Sequence, residues 1–262
     1  MERPLDSLLD VCLAGARAGA RELAAHAATF GFREKNPADF VTDADLASER
    51  AIRDAVLAAF PGDGFLGEES ADRSQLDEPY CWVADPLDGT TNYVHRNPCY
   101  ATSVAVAHRG ELLAGVVLDP TREECFAAAK GQGATLNGRP IRVSSAPDLR
   151  SALAAVSLPY GITRESPDLA SFVEMAIRCQ AIRRTGSAAL NLAYVACGRF
   201  DIHWAYEIHP WDAAAGVLLI QEAGGIATGC DGRPFVLAEA DYMTAATESL
   251  HREALEALRG VG

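Results

Sequence analysis

From about residue 80 the hydrophobic pattern of this chain changes to the two-residue period of strands, and it keeps that period to about residue 143. Segments 100–108, 111–118, 123–129 and 134–143 are punctuated by Arg109-Gly110, Asp119-Pro120 and Asn137-Gly138, which predicts a run of antiparallel strands joined by tight turns. Just before them, Cys81-Trp82-Val83-Ala84 predicts a short buried strand running into Asp85-Pro86. Helical spacing precedes this block. Leu5, Leu8, Leu9, Cys12 and Leu13 share one face, predicting a helix over residues 4–28. Thr42-Asp43-Ala44-Asp45 has the form of a helix start, followed by the stripe Leu46, Ile52, Val56, Leu57 and Phe60 and the stop Pro61-Gly62-Asp63-Gly64. Lys35, Asn36 and Pro37 read as a loop between the two helices.

Beyond about residue 148 strands and helices alternate. Strands are predicted near 152–157, 181–184, 200–206 and 242–247, and helices near 167–178, 187–198, 211–223 and 249–259. A block of antiparallel strands followed by such alternation predicts an α+β chain of two lobes, residues 1–146 and 147–262, with the boundary near 144–150.

Charge and cysteine usage narrow the function classes. The formal net charge of -13 repels phosphate backbones and anionic lipid, which argues against nucleic-acid and membrane-surface partners. The same charge repels a phosphorylated metabolite, so an enzyme for one would need local cations. The longest apolar stretch, Ala213 to Ile220, is too short to span a bilayer. Met1-Glu2-Arg3-Pro4-Leu5-Asp6 has acids where a secretory leader needs a basic start, and a cytoplasmic location is expected. The 7 cysteines are scattered without a C-x-x-C pair, which points away from a disulfide framework and from a thiolate zinc site.

Three acidic clusters sit at predicted structural corners: Gly67-Glu68-Glu69, Asp85-Pro86-Leu87-Asp88-Gly89-Thr90 and Trp211-Asp212. Asp85 and Asp88 fall at a strand end, three residues apart, where both carboxylates can converge. Pro86 stiffens the bend, Gly89 allows close backbone approach, and the amides of Gly89 and Thr90 can face phosphate oxygens. Hard oxygen donors around a phosphate favour Mg2+ over softer metals. Each piece has a plain structural reading: D-x-x-D-G as a turn, Glu68-Glu69 as a solvated pair, Asp212 as a helix-terminal charge. Their combination points to a metal site.

The motifs Gly67-Glu68-Glu69-Ser70, Trp82-Val83-Ala84-Asp85-Pro86-Leu87-Asp88-Gly89-Thr90-Thr91-Asn92-Tyr93-Val94-His95 and Trp211-Asp212-Ala213-Ala214-Ala215-Gly216 closely resemble the inositol monophosphatase family, in order, separation and flanking residues. The resemblance implies a layered α/β/α/β/α sandwich with mixed sheets and a Mg2+-dependent, lithium-sensitive phosphatase using two or three ions. It implies Glu68, Asp85, the carbonyl of Leu87, Asp88 and Asp212 as metal ligands. Thr90, oriented by Asp45, would work with Glu68 to position and deprotonate the attacking water, which attacks in line without a phosphoenzyme. Asp88, Gly89, Thr90 and Asp212 would face the phosphate, and Gly186-Ser187-Ala188 the alcohol half. A homodimer is the family expectation. One departure stands out. The family often places a Glu seven residues before the last metal aspartate; here Ala205 stands there, and Glu207 follows where a small residue is more usual.

Within that resemblance the expected reaction is hydrolysis of a small phosphorylated metabolite, foremost myo-inositol monophosphate. Histidinol phosphate is the alternative, favoured by Ala205, and fructose 1,6-bisphosphate and 3'-phosphoadenosine 5'-phosphate are further options. His95 and His209 lie near the motifs, but metal ions that acidify water make an imidazole base unnecessary. Asp43-Ala44-Asp45 offers the D-x-D of haloacid-dehalogenase-type phosphatases, yet it opens a helix instead of ending an apolar strand. No G-x-S-x-G elbow is present. A non-catalytic regulatory or RNA-associated role would show an eroded metal site or a basic patch, and this sequence has neither.

Overall fold

The computed structural model describes residues 3–29, 31–36, 39–239 and 241–259. Helices α1 (Leu5–His26) and α2 (Asp43–Ala59) lie side by side. Leu8, Cys12, Ala16 and Leu23 turn inward from α1 at three- and four-residue multiples. Gly19 sets the approach of α2: a β-carbon there would come within 2.6 Å of Ser48 Oγ and 2.9 Å of Ile52 Cδ1. Helix α2 begins in a reciprocal cap. Thr42 Oγ1 accepts from the amides of Ala44 and Asp45, while the Asp45 carboxylate accepts from Thr42 N at 2.8 Å.

Between the helices, β1 (Phe32–Asn36) and β2 (Asp39–Thr42) form an antiparallel pair with Arg33 opposite Val41. The expected loop at Lys35 and Asn36 is therefore strand, and Pro37 lies outside the described residues. Backbone pairing between near neighbours makes this hairpin, and its sequence lacks the apolar alternation that marks a half-buried strand.

The first sheet holds β3 (Gly64–Gly67), β4 (Tyr80–Asp88), β5 (Ala101–His108), β6 (Glu111–Asp119), β7 (Glu124–Ala129), β8 (Ala134–Leu136) and β9 (Arg139–Pro140) in chain order. Only β3 and β4 run parallel; each later pair is antiparallel. Short helix α3 (Thr90–Val94) follows β4. The expected strand 134–143 is cut into β8 and β9 by the Asn137-Gly138 turn, with φ of 50° and 75°. The second sheet is built from β10 (Leu153–Val156), β11 (Ala181–Arg183), β12 (Ile202–Ala205), β13 (Ile226–Thr228) and β14 (Tyr242–Ala245), in the order β11-β10-β12-β14-β13. Strand β10 is parallel to β11 and β12, and β14 is antiparallel to its neighbours.

Helices α4 (Pro167–Arg178), α5 (Ala188–Ala196), α6 (Pro210–Glu222) and α7 (Glu248–Leu258) complete the layers. The pair α1/α2 covers one face of the first sheet, α5 and α6 fill the space between the sheets, and α4 and α7 cover the outer face of the second. This is the α/β/α/β/α sandwich, an α+β fold with mixed sheets. Helix α6 is apolar nearly all round because it touches a sheet or helix on every side, with Trp211, Val217, Leu219 and Ile220 all buried. Trp82 lies in the core under α1 and α2, and Trp204 in the core under α4 and α7. Each fully buried side chain of this size contributes roughly 1.5–3 kcal/mol relative to exposure. Among the described residues no helix is long and apolar enough to cross a membrane. All 7 cysteines are free.

Candidate metal centre and active site

Strand β4 is buried along its length and delivers Asp85 and Asp88 at its C-terminal end. A register shift in the β4–β5 ladder between these two residues turns both side chains off the regular pleat. Asp212 arrives as the third residue of α6, its carboxylate accepting from His209 N at 2.9 Å. Oxygens of Asp85, Asp88 and Asp212 lie within 4.8 Å of one another. Glu68, in the turn after β3, faces Asp85 closely enough for its charge to raise the Asp85 carboxyl.

Asp88 is held from across the molecule. Its two oxygens accept from Ala188 N at 3.0 Å and Ala189 N at 2.9 Å, the first amides of α5, and Ser187 Oγ also donates to it. Asp88 thus sits at the positive end of α5 as an anionic partner borrowed from another layer. Gly89 at φ 99° starts α3, where a β-carbon would press on Cys99 O at 3.0 Å. Thr90 Oγ1 lies 3.1 Å from both Asp45 Oδ1 and the carbonyl of Leu87. Its single proton can go to only one of them, so a ligand that occupies the Leu87 carbonyl directs the Thr90 proton to Asp45.

Burial and like charge set the electrostatics. Burial, followed by the charges of Glu68, Asp88 and Asp212, pushes the Asp85 carboxyl well above the usual carboxylate range. Burial lifts Asp88 to about 6 against the pull of its hydrogen bonds, and burial with the Asp88 charge lifts Asp212 to about 7. Asp45 is raised to about 6, again chiefly by burial. Three carboxylates crowded without a counter-charge suit a divalent cation, and the hard-oxygen donor set fits Mg2+.

The other expected substrate residues fall unevenly around this cluster. Gly186 takes φ 86° against the side chain of Asn92. Ser187 is buried with its hydroxyl engaged by Asp88, and Ala188 contributes an amide. Ala205 is 1% exposed, its methyl packed in the middle core, so it offers the alcohol no polar contact. Glu207 is exposed in the connection to α6. His209 Nδ1 lies 3.2 Å from Arg73 Nη2.

Two structural supports were not evident from the sequence. Buried Glu49 accepts from Glu69 N at 2.7 Å and so fixes the turn that carries Glu68. Asn92 Nδ2 donates to Cys99 O at 2.7 Å and Thr185 O at 2.9 Å, joining the end of the aspartate motif to the Gly186 loop. An asparagine after D-G-T-T could have suggested such a clamp, but its partner 93 residues away could not be read. A groove of about 350 Å³ lined by Leu76, Cys81, Arg109 and Phe235 lies at the opposite end of β4 from Asp85 and takes no part in this site.

A five-layer sandwich with a carboxylate cluster where β4, α5 and α6 meet defines the class of metal-dependent sugar-phosphate phosphatase folds. The chain belongs to the inositol monophosphatase family, whose model matches residues 8–262. It is 43% identical over 204 residues to the Nus factor SuhB of Pseudomonas aeruginosa, spanning 76% of this chain and 75% of that protein. It is likewise 43% identical over 199 residues to the inositol-1-monophosphatase of Rhizobium meliloti, with the same coverage of 76% and 75%. Among solved structures, the inositol monophosphatase of Anabaena (Nostoc) superposes with a TM-score of 0.88 at 38% identity, covering 98% of this chain and 97% of that one.

Proposed function

We propose that this protein is a Mg2+-dependent phosphatase of small phosphate monoesters, with myo-inositol monophosphate as its parent substrate. The observation that carries the reading is the convergence of Asp85, Asp88 and Asp212 within 4.8 Å beside the Asp45–Thr90 pair. Glu68, Asp85, Asp88, Asp212 and the Leu87 carbonyl would hold the metal ions. When bound, these would lower the barrier to forming hydroxide and neutralise charge on the phosphoryl oxygens. The rest of the chemistry belongs to the chain. Asp45 accepts the Thr90 proton, which leaves the Thr90 lone pairs to receive a hydrogen bond from the attacking water. Glu68 takes that water's proton, and attack proceeds in line. The phosphate rests against the end of β4, and the alcohol points toward the 186–188 loop and the 205–209 connection. Ala205 leaves the choice of alcohol to its neighbours. Histidinol phosphate, fructose 1,6-bisphosphate and 3'-phosphoadenosine 5'-phosphate are the other substrates to compare.

A second reading, a regulatory role beside catalysis, has support from the relatives named Nus factor SuhB. The filled carboxylate site favours catalysis as the primary role. We also propose that two copies pair through α4 and the edge strand β11. Val173 and Ile177, 57% and 75% exposed, form an apolar pair one helical turn apart beside that open edge. Sedimentation of wild type and Ile177→Asp tests it, and a wild-type monomer at micromolar concentration would rule it out.

The test of the activity is phosphate release from the four esters, each with Mg2+ and with chelator. Release that requires Mg2+ is expected. A folded protein that releases phosphate from none of them overturns the reading.

A further inference from the structure

Helix α5 is built of alanine, leucine and valine apart from Tyr194 and Asn191, and Asn191 is fully buried. Its Oδ1 accepts from Thr185 Oγ1 at 2.7 Å, while its Nδ2 has no partner among the described residues. A buried amide with an unpaired donor is a cost to the fold, and an alanine would avoid it in so apolar a helix. A polar group kept against that cost points to a task outside the packing. The bond to Thr185 shows where that task lies.

Thr185 is a junction of three segments. Its carbonyl accepts from Asn92 Nδ2 at 2.9 Å, which ties it to the end of the aspartate motif. Its hydroxyl lies 2.7 Å from Asn191 Oδ1, and 3.3 Å from both the amide and the carbonyl of Ser187. That hydroxyl has one proton, and the shorter contact to Asn191 takes it. A lone pair is then left for Ser187 N, and the Ser187 carbonyl keeps its helical bond from Asn191 N at 3.2 Å. The next link is fixed in the same way. Ser187 Oγ accepts from Leu190 N at 3.2 Å, which commits its own proton to Asp88. The amides of Ala188 and Ala189 follow in the chain onto the same carboxylate. A run of bonds from Asn191 through Thr185 and Ser187 thus ends on Asp88.

We propose that Asn191 and Thr185 are positioning residues of the metal centre. Asn191 directs the Thr185 proton, Thr185 anchors the Ser187 amide, and Ser187 with the first amides of α5 holds the Asp88 carboxylate in the orientation that receives the ion. This rests on the phosphatase reading above and gives the segment from 185 to 191 a part in metal affinity. Groups that hold a metal ligand from behind set its direction and so tune how tightly the ion binds.

The experiment compares wild type with Thr185→Val, Thr185→Ser and Asn191→Ala. Thr185 is partly exposed, so valine exchanges its hydroxyl for a methyl of the same size with little demand on the fold. Serine restores the hydroxyl, and alanine at 191 removes the acceptor together with the unpaired donor. All four proteins are melted in chelator and across a Mg2+ series without ester, and turnover is followed across the same series. In chelator Thr185→Val and Asn191→Ala should melt within about 4 °C of wild type. Both should need about tenfold more Mg2+ for the same rise in Tm and for half-maximal turnover, the lower end of what losing such a support costs. The KM for the ester at saturating Mg2+ should not change, and Thr185→Ser should respond as wild type does. A merely structural role would lower kcat through a smaller folded fraction and leave the Mg2+ requirement where it was. A contact with the alcohol would raise KM instead. An unchanged Mg2+ requirement in Thr185→Val and Asn191→Ala, or a rise in KM alone, overturns the proposal and leaves the phosphatase reading standing. A wild type that gains stability from Mg2+ but releases phosphate from none of the esters overturns that reading, and the melts still decide this one. A wild type that neither gains stability from Mg2+ nor releases phosphate overturns both.

Discussion

Replacing Asp85 by asparagine should give a protein that is inactive yet more stable than wild type when metal is withheld. The three carboxylates have oxygens within 4.8 Å of one another, and at an effective dielectric of about 20 two unit charges at that distance repel by roughly 3.5 kcal/mol. Asparagine keeps the Oδ1 acceptor that Leu87 N uses at 3.0 Å and removes two of the three repulsive pairs. The gain is limited because a crowded carboxyl can take up a proton instead. Lifting Asp212 from 3.8 to about 7 corresponds to about 4 kcal/mol of stability lost on full ionisation. A net gain of about 3 kcal/mol at pH 8, or roughly 6–12 °C in Tm, is the reasonable expectation for Asp85→Asn. The sign with pH is fixed. These carboxyls titrate higher in the folded than in the unfolded chain, so their contribution is intact at low pH and lost as pH rises through the folded values. The advantage of the variant should therefore be small near pH 4.5 and full by pH 8. Mg2+ at about a hundred times its dissociation constant should stabilise wild type by about 2.7 kcal/mol and the variant far less. Thermal and urea melts of both proteins at three pH values, with chelator and with Mg2+, measure all of this. A variant less stable than wild type in chelator at pH 8, or a gap that does not widen with pH, would refute the reasoning.

Other outcomes follow from single contacts. Thr90→Val should lower kcat by about 10²–10⁴-fold with an unchanged circular dichroism spectrum, because it removes the hydroxyl that Asp45 orients. His203 is fully buried and pushed down to about 3 by that burial, so the native state gives up about 1.4 kcal/mol per pH unit below about 6.5 as the unfolded chain takes the proton. His203→Gln should show a flatter loss of stability between pH 6.5 and 5 than wild type in paired melts. A β-carbon at Gly216 would come within 2.4 Å of Leu192 Cβ, so Gly216→Ala should cost about 1–3 kcal/mol by forcing α5 and α6 apart, seen as a lower urea midpoint.

The helices were readable because each carries its own evidence. Thr42 and Asp45 form the cap that their spacing predicts, and the apolar faces of α1 and α2 repeat at helical intervals. Strands β3 and β13 were not. Residues Gly64–Gly67 are buried on both faces between two glycines, so no alternation marks them, and Ile226–Thr228 forms a three-residue edge. At the site, the carboxylates could be singled out because acids at a strand end and a helix start have few structural uses in combination. What holds them could not. Ser187 looks from the sequence like a contact for substrate, yet its hydroxyl is spent on Asp88, 99 residues earlier. Glu49 reads as one more polar position on a helix until the fold brings it under Glu69 N. Such partners depend on which layers face each other, and local pattern carries no record of that.

The bonds from Ser187, Ala188 and Ala189 to Asp88 also govern when the enzyme comes into being. They join residues 99, 100 and 101 positions apart, across the interface between the first sheet and the middle helices. Closing a loop of that length costs chain entropy before any contact repays it, so contacts of this kind form late. A refolding chain should recover its helical signal first and its turnover afterwards, once α5 has docked. A metal ion drawn to the finished cluster would act as a clasp on that seam and slow the parting of the layers, so the lifetime of the folded chain would then depend on the free concentration of that ion.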